Sequence, residues 1–386
     1  MNLKERLLAR MDALAPEMVR VSRYLHAHPE LGYEEHKAVA FLKQKLRVHG
    51  FKVETPLKAM PTAFRASIVG KRRRPAIGFI AEYDALPDIG HGCGHNLIAA
   101  SAFGTAVALA PFAKELGGSV WLFGTPAEET DGAKIPMAEA GVFDEMDAII
   151  MMHPEGMYLV NTAGLALDPV EFEYRGRAAH AAGTPYEGIN ALDAVIQLFN
   201  GINALRQQLR ADARIHGIIT EGGTYPNITP DHTVAKLYVR AMERAYCTEV
   251  TRKVINCARG AATATGCKLT VKRFERSYDN VVNNPVLARL VTESLHSLGI
   301  HDLAESDPVP GSSDFGNLSH RVPSLYVYCA TAPKDSVLHT KEFARLSIAR
   351  RAHEHTIIVA KAMALAGLEI LSDHTLAKQL RDSFVG

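Results

Sequence analysis

The sequence predicts an α/β protein, with a mostly parallel sheet covered by helices and a smaller inserted domain of mixed strands and helices. Two observations carry this reading. Short apolar runs, AIGFIA (76–81), SVWLFG (119–124), DAIIMM (147–152) and SLYVYC (324–329), are interleaved with helical patterns such as LIAASAFGTAVALA (97–110). A strand apolar at every position is buried on both faces, which is the habit of parallel strands packed between helices. From about residue 167 to 280 the strands instead alternate in polarity, as they do in a sheet with one wet face.

Taken in order, the first 50 residues read as two helices, the second covering roughly 34–48 and closed by Gly50. The basic run Lys71-Arg72-Arg73-Arg74 lies between two apolar segments and reads as a solvated hairpin turn rather than a nucleic-acid patch. Within the insert, VEFEYRG (170–176) is a strand and residues 189–209 form an amphipathic helix. RIHGIIT (214–220) and TVAKLYVRAM (233–242) are two further strands, followed by a long helix over 245–262 and an alternating strand in KLTVKRFERS (268–277). The order β-α-β-β-α-β is the ferredoxin-like pattern. It assigns 1–166 and 281–386 to one domain and 167–280 to the insert.

The chain has 386 residues, which favours two domains over one. Hydrophobic residues make up 47% and charged ones 22%, with a net charge of +1, so nothing favours a polyanionic partner such as nucleic acid. No stretch is expected to approach the roughly 18 apolar residues that a bilayer span needs. The N-terminal MNLKERLLARMDALAPEMVRV reads as a charged amphipathic helix, not a signal peptide, and a cytoplasmic location is expected. The cysteines, Cys93, Cys247, Cys257, Cys267 and Cys329, are odd in number and scattered, which points to reduced thiols rather than a disulfide scaffold. Cys247, Cys257 and Cys267 read as buried structural thiols.

Chemistry is expected where the apolar strands end, because open α/β sheets bind ligands beyond the carboxyl ends of their strands. The first run leads into Glu82, Asp84 and HGCGHN (91–96), the second into TPAEE (125–129) and the third into His153-Pro154. The last is followed, after a short loop, by His339. Cysteine, histidine and glutamate are metal-ligand types. Each alone is commonplace: a strand-end histidine is usually structural, and a Glu-Glu pair is usually solvated surface. Cys-x-His flanked by glycines is more specific, since Gly94 can take a positive φ and turn both side chains toward one point.

Together, HPELGYEE (28–35), DALP (84–87), GHGCGHN (90–96), TPAEE (125–129), MMHP (151–154), RAAHAA (177–182), GINALDA (188–194), NITPD (227–231), GSSDF (311–315) and His339-Thr340 resemble one known family. It is the zinc-dependent aminoacylase and carboxypeptidase family, in its hippurate hydrolase, p-aminobenzoyl-glutamate hydrolase and β-alanyl-dipeptidase branch. The resemblance spans nearly the whole chain. It implies two divalent ions per subunit, zinc first, with manganese or cobalt as alternatives. It implies Cys93 as a bridging thiolate, His95 and His153 completing one site, and Glu129 and His339 completing the other. Glu128 matches the general base and Asp84 a supporting carboxylate. Other branches place a metal-binding histidine where Glu82 stands, and Glu82 is left without a role.

The resemblance further implies that the insert is a lid and dimerisation domain. His180 would stabilise the oxyanion, often in the partner subunit's site. Arg240 and Asn227 would hold the substrate carboxylate or amide, and the backbone amides of Gly311 and Ser312 would line the pocket. The expected activity is hydrolysis of the amide bond of a small N-acyl amino acid or dipeptide. The competing readings are a metallopeptidase for longer peptides, a non-catalytic zinc-binding protein, and a cysteine hydrolase using Cys93 and His95.

Overall fold

A computed structural model describes residues 1–306 and 311–384. The chain divides into two compact units, 1–163 with 281–386, and 164–280. The first opens with α1 (Leu3–Ala27), α2 (His36–Val48), β1 (Lys52–Glu54), β2 (Phe64–Val69), β3 (Ala76–Ala81) and α3 (His95–Leu116). It continues through β4 (Ser119–Gly124), α4 (Lys134–Glu139) and β5 (Ala148–Glu155). The second unit holds β6 (Ala166–Arg175), α5 (Ala191–Leu205), β7 (Arg214–Glu221), β8 (His232–Ala241), α6 (Arg244–Thr265) and β9 (Lys268–Lys272). The chain then returns to the first unit with α7 (Pro285–Ser297), α8 (Phe315–Ser319), β10 (Ser324–Ala330), α9 (Lys341–Leu346), α10 (Arg350–Ser372) and α11 (His374–Asp382).

The sheet of the first unit runs β1-β2-β4-β3-β5-β10. Strands β4, β3, β5 and β10 are mutually parallel, and β1 and β2 extend the sheet antiparallel at one edge. β3, β4 and β10 are buried along their whole length, which is why they read as unbroken apolar runs. α1 starts on a reciprocal capping box between Asn2 and Glu5 and buries Leu7, Met11, Leu14, Met18, Val21 and Leu25 along one stripe.

Two expectations are corrected here. The loop over 71–74 is exposed, but it is no hairpin: β2 and β3 flank β4 on opposite sides, so the chain crosses over a strand. A basic, solvated loop says nothing about which strands it joins. Secondly, α3 and α10 are each long and apolar enough to cross a bilayer by composition. Both pack against α1 and against each other. The apolar window of α3 is almost wholly buried and that of α10 largely so, which makes them core helices.

The second unit is a four-stranded antiparallel sheet in the order β7-β8-β6-β9, with α5 and α6 packed on it. The connectivity is βαββαβ. α5 is capped by the Asn190 side chain, and α6 closes at Gly266 with φ +77°. Cys247 and Cys267 are buried, as expected, whereas Cys257 is half-buried.

Candidate metal centre and active site

The ends of the parallel strands, with α3, build one cluster in the first unit. β3 ends at Ala81, so Glu82 and Asp84 leave the sheet directly, both fully buried. His95 opens α3 behind Gly94, which sits at φ +75° and whose Cβ would come within 2.8 Å of Pro154. Only glycine suits that position, and it turns Cys93 and His95 toward one point. β4 delivers Glu128 and Glu129 through Ala127 at φ +56°, and the loop after β10 delivers His339 at φ +62°. Non-glycine residues in this region cost about 1–3 kcal/mol each, and such strain collects at functional sites. Ala127 is held there by its N–H, which donates to Glu35 Oε1 at 2.8 Å.

Both buried histidines have their rings oriented by a partner on Nδ1. His95 Nδ1–H donates to Asp84 Oδ1 at 2.9 Å, and His153 Nδ1–H donates to the Pro154 carbonyl at 2.9 Å. Their Nε2 atoms therefore face the cluster. His153 Nε2 lies 3.3 Å from Cys93 Sγ. His95 Nε2 lies 3.4 Å from Glu82 Oε2, and 3.9 Å from both Glu128 Oε2 and Glu129 Oε1. His339 Nε2 is 3.5 Å from Glu129 Oε2.

Three overlapping ligand sets result, each with its donor atoms within 4.8 Å of one another: Cys93, His95 and His153; Cys93, Glu129 and His339; Glu82, His95 and Glu128. Cys93 belongs to the first two, so its sulfur lies where one thiolate could serve two ions.

The electrostatics fit a cation. Burial, then the neighbouring Glu82 and Glu129, pushes the Glu128 carboxyl well above its ordinary range, and burial raises Glu129 too. Burial and Glu129 push the Cys93 thiol well up, and burial together with His95 lowers His153 to about 3. His95 moves the other way: although burial opposes it, Asp84 and Glu82 hold its ring well above the usual histidine value. His95 Nε2 and Glu129 Oε1 are buried without a hydrogen-bond partner among the described residues. Orphaned buried polar atoms are costly, and a divalent ion would satisfy both while offsetting the crowded carboxylates. The raised Cys93 thiol also argues against a cysteine hydrolase, whose nucleophile needs a depressed pKa.

Sequence reasoning missed the groups behind this cluster. Lys134, at the start of α4, is fully buried, with its ammonium 2.5 Å from Glu82 Oε1 and 2.6 Å from Asp314 Oδ1. Nothing in the residues around Lys134 marks it as buried, since lysine is almost always on the surface. Glu35 and Asp314 lie inside the motifs HPELGYEE and GSSDF, yet the motifs alone give neither of them a role. Burial and Asp84 raise the Glu35 carboxyl to about 7. Gly311, exposed, and Ser312, half-buried, lie in the turn leading to Asp314.

In the second unit, His180 is exposed and adjoins the 222–231 loop: it bridges to Ile228, and the Ala181 N–H donates to the Asn227 carbonyl at 3.0 Å. His180 Nδ1 accepts the N–H groups of Ala182 (3.2 Å) and Gly183 (3.0 Å), which leaves Nε2–H as a donor in the neutral ring. Arg240 is half-buried on β8, its guanidinium 5.6 Å from the Tyr238 ring centroid. It pairs with Leu167, whereas His232 at the opposite end of β8 pairs with Arg175. At ~3.3 Å per residue, Arg240 is about 26 Å along the strand from His232, and the Asn227 loop leads into that far end. Arg240 and the loop carrying Asn227 thus lie toward opposite ends of β8.

A parallel α/β sheet whose strand ends bring a carboxylate pair onto overlapping thiolate, imidazole and carboxylate ligand sets has the make-up of a metal-dependent hydrolase. The profile of Peptidase family M20/M25/M40 matches residues 78–357. The chain belongs to that family and is a hydrolase of amide bonds. It is 37% identical to the Xaa-Arg dipeptidase of Mus musculus, over 99% of this chain and 92% of that protein. It is 34% identical to one of the subunits of the p-aminobenzoyl-glutamate hydrolase of Escherichia coli, over 70% of this chain and 60% of that one. Among solved structures, a dinuclear metal-binding peptidase of the M20 family from Bacillus subtilis superposes with a TM-score of 0.70 at 22% identity, covering 93% of this chain and 99% of the other.

Proposed function

We propose that the chain is a two-metal dipeptidase and N-acyl amino acid hydrolase with Glu128 as its general base. The observation that carries this is the position of Glu128: its carboxylate is 3.9 Å from His95 Nε2, beside the two Cys93-containing sets but a member of neither. Cys93, His95 and His153 would hold one ion, and Cys93, Glu129 and His339 the other. A thiolate with imidazoles suits zinc, while the carboxylate-containing set also admits manganese or cobalt. When bound, such ions lower the pKa of water and polarise a scissile carbonyl.

Glu128 takes the proton of the attacking water and returns it to the leaving amine. Asp84 orients His95. His180 presents Nε2–H to the developing oxyanion, and Arg240 grips the substrate carboxylate as a planar fork. The separation of Arg240 from the His180 and Asn227 end of β8 favours a homodimer in which the two ends of the lid sheet serve different subunits' sites.

The high identity to Xaa-Arg dipeptidases over nearly the full chain makes dipeptides with a C-terminal basic residue the first substrates to test. The screen sets Xaa-Arg dipeptides against p-aminobenzoyl-glutamate, N-acetyl and N-benzoyl amino acids, β-alanyl dipeptides and tripeptides, with Zn²⁺, Mn²⁺ and Co²⁺ supplied in turn. Preferential turnover of Xaa-Arg dipeptides over tripeptides is the expected result. Faster turnover of tripeptides would replace the reading with a peptidase for longer chains.

A further inference from the structure

The first and third ligand sets compete for one atom. His95 has a single nitrogen to offer, because Nδ1 is bound to Asp84. Both Cys93–His95–His153 and Glu82–His95–Glu128 need His95 Nε2, so an ion can occupy one of them but not both. Occupying the third set would make Glu128 a ligand and remove it as a base.

Charge decides between them. Lys134 is fully buried and places its ammonium 2.5 Å from Glu82 Oε1 and 2.6 Å from Asp314 Oδ1, while its backbone N–H donates to Asp314 Oδ2 at 2.9 Å. Glu82 is thus already neutralised on one oxygen, and its other oxygen lies 3.4 Å from His95 Nε2. A divalent ion drawn to Glu82 would sit against a fixed positive charge at low dielectric, where like-charge repulsion is strong. The Cys93 side offers a sulfur and the His153 imidazole instead.

We propose that Lys134 is a positioning residue that selects between the two overlapping metal sites: by claiming Glu82 it keeps the ion on Cys93, His95 and His153 and leaves Glu128 uncoordinated. The proposal rests on the metal-centre reading above. Without Lys134, Glu82 carries an uncompensated charge 3.4 Å from His95 Nε2, and the ion moves to the carboxylate-rich set. That move trades a thiolate and an imidazole for two carboxylates, which shifts the site's preference from zinc toward manganese.

The test is cobalt substitution of purified Lys134→Met and parent enzyme. The charge-transfer absorption of the thiolate–cobalt bond is read per bound cobalt, alongside total metal content. In the parent the band reports Cys93 bonded to both ions. In Lys134→Met it should fall to about half, one of the two links being lost, with kcat falling and KM little changed. Adding Glu82→Gln to Lys134→Met removes the competing carboxylate and should restore the band. If Lys134→Met does not fold, Glu82→Gln alone decides: it keeps the Lys134–Asp314 pair, and its cobalt content and band should match the parent.

An unchanged band per cobalt in folded Lys134→Met overturns the proposal alone, as does loss of the band or of cobalt in Glu82→Gln. A parent enzyme with no thiolate band overturns the Cys93 reading and this proposal with it.

Discussion

Asp84 holds His95 in one orientation: Oδ1 accepts the ring Nδ1–H at 2.9 Å while Oδ2 accepts the Glu129 N–H at 2.9 Å. One carboxylate thus ties a member of the first ligand set to a member of the second. Despite its burial, it is kept below the usual carboxyl range by His95 and that backbone N–H. Carboxylates behind metal-binding histidines typically contribute 10–100-fold in affinity. Asp84→Ala should weaken metal binding by about that factor, read by titration against a competing chelator. Affinity indistinguishable from the parent's would remove Asp84 from the centre.

Glu128 stands apart from both Cys93-containing sets, so Glu128→Gln should bind metal like the parent and lose about 10²–10⁴-fold in kcat. Metal content and turnover are measured on the same preparation. Parent-like turnover would end the assignment, and loss of metal would make Glu128 a ligand.

Cys93 is shared by two ligand sets, so Cys93→Ser should lower the metal content of the purified enzyme and abolish turnover. Metal analysis is the better readout than alkylation. The thiol is only 6% exposed and burial keeps it protonated, so it reacts slowly even without metal. Full metal content in Cys93→Ser would show that the sulfur is no ligand.

Glu35 ties stability to pH. Its folded pKa is about 7 against an ordinary 4.5, raised by burial and Asp84. A carboxyl raised on folding favours the folded state most when protonated. Stability from this group is therefore present below about pH 4.5 and is lost as pH rises through about 7. Glu35→Gln can still accept the Ala127 N–H but cannot ionise. In metal-free protein the variant should gain on the parent as pH goes from 5 to 8, by up to about 3 kcal/mol at full ionisation. Denaturant midpoints across that range read the difference, and a gap that does not widen with pH would rule out the linkage.

Much of the site was legible because strand ends in a parallel sheet converge on one region. Once AIGFIA, SVWLFG and DAIIMM are read as buried strands, Glu82, Asp84, Glu128, Glu129 and His153 have to emerge at one edge. The alternating strands of the insert were legible for the same reason: one wet face imposes period two. Lys134 was not legible, since its burial depends on Glu82 and on Asp314, which is 180 positions away in sequence. The crossover at 71–74 was hidden because strand order is a tertiary property. The separation of Arg240 from the Asn227 loop was legible as a length: β8 runs ten residues, with Arg240 near one end and that loop leading into the other.

That length bears on the oligomer. β7 is one of the two edge strands of the second unit's sheet, and Ile218 and Ile219 on it are exposed; proteins normally cover such an edge. If two copies join through this domain, His180 and Asn227 of one subunit can serve a site whose Arg240 comes from the other. Subunits carrying His180→Ala, co-expressed with subunits carrying Glu128→Gln, should then regain activity that neither homodimer has. Each heterodimer would hold one site with an intact Glu128 and an intact His180 from the partner. Ile218→Lys, which charges the edge, should weaken the dimer and abolish the complementation together, as read by sedimentation and by turnover. Verified heterodimers that recover nothing would mean that His180 serves its own subunit or has no part in the reaction.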